Sequence, residues 1–123
     1  CLGLRKEARV VHDILAGNGF EVMSVGCKTG RVPKSSLGIT PEQQIAPCPH
    51  ESMCNPVLQA LVANRFGAEL NILLGLCVGH DSLFFKHAEA PVTVLAVKDR
   101  LTGHNPLAAA YTSNSYYSRL NVP

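Results

Sequence analysis

The run Asn71-Ile72-Leu73-Leu74-Gly75-Leu76-Cys77-Val78-Gly79-His80-Asp81-Ser82-Leu83-Phe84-Phe85 reads as a buried strand that passes through a tight turn into a short helix. The apolar residues Ile72 to Leu76 do not alternate with polar ones, the pattern of a parallel strand covered on both faces. Gly75 and Gly79 bracket Cys77 where the chain turns, and Asp81 or Ser82 can cap the helix that follows. In an open α/β sheet the carboxyl end of a strand is where ligands bind. A thiol, an imidazole and a carboxylate therefore fall within five residues at that position.

Working outward, Leu4, Ala8, Val11 and Leu15 share one face of a helix over residues 5–16, with Gly17-Asn18-Gly19 as its stop. Phe20 to Val25 reads as a strand ending at Gly26-Cys27. The helix from Arg5 calls for a strand before it, of which Cys1 would be the last residue. A further strand is therefore expected ahead of Cys1, and the chain is expected to be the C-terminal part of a longer protein. Residues 31–50 carry four prolines and no periodicity, and read as a long surface loop. Asn55-Pro56 opens a helix that Gly67 closes, Pro91 to Val97 is a third strand, and Asn105-Pro106 starts a last helix. Strands alternating with helices predict one Rossmann-like, doubly wound, mainly parallel α/β domain over residues 1–123.

Composition narrows the function. The 123 residues are 46% apolar, 16% charged and of net charge +2, enough for one core. No basic run exceeds two residues, so nucleic acid is not an expected partner. No apolar run approaches the roughly 20 residues needed to span a membrane. Five cysteines in a chain that can build a core point to metal-binding or catalytic thiols in a reducing cytoplasm. A redox partner protein is a candidate, as is association with the expected N-terminal segment or a second copy.

Cys1, Cys27 and Cys77 each follow the end of an expected strand, and Cys54 precedes a helix cap. A helix N-terminus favours thiolate, the form that binds metals. No C-x-x-C pair of a zinc knuckle is present, and four single thiols from separate elements suit an iron–sulfur cluster at least as well as a single ion, because a cluster is wider. Zinc is the alternative metal. His80 and Asp81 can ligate or tune the centre. Cys48, in the proline-rich loop, fits the pattern poorly, and His12, His50 and His87 read as surface groups. A rival reading takes Cys77 as a metal-free nucleophile, with His80 or His104 as base and Asp81 or Asp99 as orienter. A third takes Lys98 and Arg100 as an anion pocket, and Tyr116-Tyr117 as packing of the tail.

Cys1-Leu2-Gly3-Leu4-Arg5-Lys6-Glu7-Ala8, Met53-Cys54-Asn55-Pro56, the run Leu74 to Lys86, Ala90-Pro91-Val92-Thr93 through Lys98-Asp99-Arg100, and Gly103-His104-Asn105-Pro106 together resemble an uncharacterised family. It is a domain-of-unknown-function family of cysteine-rich, metal-binding proteins of anaerobic bacteria and archaea. The likeness covers residues 1 to about 111 and is most specific over Leu74 to Lys86. It implies metal binding, with Cys1, Cys27, Cys54, Cys77 and His80 as the metal positions. It also implies extra sequence, with further cysteines, ahead of the matching region.

Overall fold

The computed structural model describes residues 1–44 and 50–121. Helix α1 spans Arg5–Gly17, α2 Pro56–Phe66, α3 His80–His87 and α4 Pro106–Tyr111, with strands β1 at Asn71–Cys77 and β2 at Val92–Lys98. The strands pair in parallel, Asn71 opposite Val92 and Cys77 opposite Lys98. The carboxyl ends of both strands therefore finish side by side, with α3 as their crossover.

Local chemistry explains these elements. Asn55 Oδ1 accepts from the Leu58 amide at 2.9 Å and Pro56 takes the first helical position, so α2 starts with an otherwise orphaned donor satisfied. Gly67, at φ +79°, closes it in the left-handed region. The turn into α3 differs from expectation. Gly79 is the cap, and Asp81 Oδ1 accepts from the amides of both Gly79 and Ser82.

The core lies between β1 and the α2–α3 layer, where Ala60, Ala63, Leu73, Leu76 and Phe84 pack with Cys27. Coverage on the other face is incomplete. No residue of α1 is buried, although Ala8, Val11 and Leu15 are half-buried along its expected apolar stripe. Ile72 is 39% exposed and Leu95 of β2 is 55% exposed. The expectation that both strands are covered on two faces is corrected for this reason.

The strand expected over residues 20–25 is also corrected. Residues 20–25 form neither helix nor ladder, and the sheet among the described residues has two strands in the order β1–β2. An extended sequence becomes a strand only where a neighbour supplies backbone partners, and among the described residues none ladders with this segment. The architecture is mixed α/β with a small parallel sheet. The doubly wound layering expected from the sequence is not formed among the described residues.

The long loop is fastened at its base. Lys34 donates through its backbone amide to Glu51 O and through Nζ to Glu51 Oε1, both at 2.8 Å, and Met53 N donates to Val32 O. Two single helical turns, Lys34–Leu37 and Pro41–Gln43, occupy part of it. Cys48 lies outside the described residues. His50 is exposed in a turn. No described helix is long and apolar enough to cross a membrane.

Candidate functional site

The rim at the carboxyl ends of β1 and β2 gathers thiols from four segments. Cys77 ends β1. Cys1 arrives from the front of the chain, its backbone nitrogen donating to Leu74 O at 2.9 Å. A single helical turn, Leu2–Leu4, then carries the chain away, closed by Leu4 N donating to Cys1 O. Cys27 follows the unpaired segment 20–25 and is 3% exposed. Cys54 stands just before the α2 cap, and Asn55 N donates to Cys27 O at 2.7 Å, which pins the two loops together. The four cysteines carry free thiols.

The sulfurs of Cys27 and Cys54 are 3.8 Å apart, with the Cys54 thiol donating. Polar donors point at two of the sulfurs, Cys27 and Cys1. Leu2 N donates to Cys27 Sγ and Gly3 N to Cys1 Sγ, both at 3.4 Å, and Lys98 Nζ lies 3.1 Å from Cys1 Sγ. The parallel register explains the cation, since Lys98 is the partner of Cys77 across the sheet.

Electrostatics place Cys27 and Cys77 within reach of the Cys54 thiol. Burial pushes the Cys54 thiol up, and Cys27 and Cys77 add to the rise against a smaller pull from Lys28. This corrects the expectation that the α2 N-terminus favours thiolate at Cys54: desolvation and neighbouring sulfurs outweigh the helix end.

Other sequence candidates fare differently. His80 begins α3, three residues beyond Cys77, and its Nδ1 is buried with no partner among the described residues. Asp81 is engaged in the turn before α3. His104, at φ +67°, accepts the Asp99 amide at Nδ1, leaving its proton on Nε2. The Asp99 carboxylate accepts from the Thr102 hydroxyl and the Leu101 amide, which hold its pKa below the usual range. Among the described residues neither histidine is hydrogen-bonded to Cys77. His12 bonds Ser24 and His87 bonds Leu83 O, as surface groups do. Tyr117 donates to Leu101 O, and its ring packs edge-on against Tyr116, so the tail is partly tied down.

No three His, Cys, Asp or Glu side chains among the described residues are grouped to hold a single metal ion. The sulfur pair is therefore the ordered nucleus of the site, with Cys1 and Cys77 around it. Sequence reasoning missed the amides of Leu2 and Gly3, which carry no side-chain signal, and the role of Lys98 against a sulfur.

Comparison with known proteins follows the same residues. Residues 1–95 match the model of a family described as protein of unknown function (DUF1847). An uncharacterised protein of Methanocaldococcus jannaschii, MJ0455, is 44% identical over 117 residues. That match covers 95% of this chain and 58% of the relative, so the chain spans little more than half of its length. No solved structure matches.

Proposed function

The chain belongs to the DUF1847 family of proteins of unknown function, and from its cysteine rim we propose that it is a metal-binding protein whose thiolates hold an iron–sulfur cluster with a redox role. The observation that carries this reading is the Cys27–Cys54 sulfur separation of 3.8 Å. A tetrahedral ion bound to sulfur at about 2.3 Å spaces its sulfurs by about 3.8 Å. The pair thus suits two ligands of one metal atom with little movement.

The cluster is favoured over a lone zinc ion by the spread of the remaining thiols. One tetrahedral ion needs every ligand sulfur at the same short spacing, and no group of three ligands meets that demand among the described residues. A cluster takes its thiolates from a wider perimeter. Cys27 and Cys54 would serve one iron, and Cys1 and Cys77 the rest, with His80 as an exchangeable or supporting ligand. Bound there, the cluster supplies one-electron transfer. The chain's own residues set its properties. Amides of Leu2 and Gly3 and the Lys98 ammonium donate toward sulfur, which offsets thiolate charge and favours the reduced state. Asp81 holds the turn that carries His80.

Anaerobic purification followed by metal analysis and a visible spectrum tests the proposal. Bound iron with broad absorption near about 400 nm is the expected result. Stoichiometric zinc without colour would replace the cluster by a mononuclear site. A metal-free protein alkylated selectively at Cys77 would overturn metal binding in favour of a nucleophilic thiol.

A further inference from the structure

We propose that the cleft between residues 20–25 and β1 is a strand slot, filled in the full-length protein by the extended segment that leads into Cys1. The cleft has a volume of about 700 Å³ and runs from Cys1 at the rim to Leu70 at the far end of β1. Val11 and Leu15 of α1 line it on one side, and Ala63 and Phe84 on the other.

Among the described residues no ladder spans the cleft between its two long walls. Asn71 N donates to Pro91 O, on the β2 side. Backbone groups of a parallel strand alternate sides, so Ile72 presents its own to the cleft; past Leu73 the register shifts, and the side Leu74 O faces is given by its own bond. Leu74 O already accepts the Cys1 nitrogen there at 2.9 Å, as a ladder partner would donate. Opposite, residues 20–25 carry a strand-like sequence and no ladder. The side chains agree with the backbone. Ile72 and Phe20 are 39% and 63% exposed in a region whose sequence reads as interior.

Entry at Cys1 sets the occupant's direction. A chain that reaches Cys1 at the rim and then turns into α1 must run alongside β1 in the same sense. The filled sheet would then be 20–25, the occupant, β1 and β2, all parallel, with α1 packed over a closed face. The archaeal relative, of which this chain spans 58%, has the length to supply such a strand. The proposal does not depend on metal binding, although the occupant would fix Cys1 in position.

Hydrogen exchange on the full-length protein, stripped of metal with a chelator, tests the slot apart from the metal proposal. Amides of peptides covering residues 20–25 and 71–76 are expected to exchange on the order of 100-fold more slowly than in the unfolded chain. Fast exchange at 20–25 would overturn the proposal. Protection that appears only as protein concentration rises, together with a dimer on sizing, would assign the slot to a second copy and overturn it equally.

Discussion

Gly75 is the residue on which the packing behind the rim most depends. Its φ is +66°, and a Cβ built there would overlap Leu4 Cδ1 and stand 3.1 Å from Leu4 Cγ. Leu4 is only 7% exposed and has little room to retreat. Gly75→Ala therefore carries two costs. The left-handed conformation costs an L-residue about 1–2 kcal/mol. Forcing a methyl against a buried side chain costs about 1–3 kcal/mol more. The sum, about 2–5 kcal/mol, is a large share of the roughly 5–15 kcal/mol that holds a domain folded. With a urea slope of about 1–3 kcal/mol/M, the unfolding midpoint should fall by on the order of 1–2 M. The two costs separate in a double-mutant cycle. Leu4→Ala removes the overlapping Cδ1 and Cγ and leaves Cβ at 3.6 Å. In that background Gly75→Ala should cost only the backbone part, giving a coupling of about 1–3 kcal/mol. A cost below about 0.5 kcal/mol for Gly75→Ala alone, or a coupling of zero, would refute the close approach of Leu4 to β1. Leu4 ends the turn that holds Cys1, so the same substitution should change the alkylation rate of Cys1.

Other expectations follow from the site. Cys54→Ser should abolish metal retention while circular dichroism stays unchanged, and Cys27→Ser should do the same with some loss of stability because that residue is buried; metal retained at wild-type stoichiometry in both would remove the pair from the ligand set. Because the Cys54 thiol is raised above its ordinary value of 9.0, the metal-free fold keeps this contribution below that pH and loses it as pH rises through the higher folded value. Urea midpoints measured from pH 7 to 11 should decline at the alkaline end, less so in Cys54→Ala. Metal loading should show the opposite sense, weakening as pH falls, since each thiol must release its proton to bind. Asn55→Ala should cost about 1 kcal/mol by freeing the Leu58 amide, read as a lower thermal midpoint; no change would mean that α2 starts independently of its cap.

The elements whose signals are local were legible before any coordinates. Asn55-Pro56 and Asn105-Pro106 mark helix starts because proline's fixed φ acts within one turn, with a side-chain cap added at Asn55, and Gly67 marks a stop through its own left-handed φ. β1 and β2 were legible from continuous apolar runs. Cys77 at the end of β1 followed from the strand alone, and the approach of Cys27 to Cys54 agrees with placing each thiol at the end of an element.

What tertiary structure decided is how those ends meet. Residues 20–25 have a strand's sequence, yet strand formation is a property of two segments, and the described residues supply no partner. The thiolate expected at Cys54 depended on a helix end one residue away. Its actual environment is set by Cys27, distant in sequence and 3.8 Å away in space, where burial and neighbouring sulfur outweigh the dipole. Lys98 against Cys1 required the register of two strands and the return of the first residue to Leu74 O. Periodicity and capping are fixed by neighbours along the chain and can be read from it; charge, burial and ladder partners are fixed by neighbours across it.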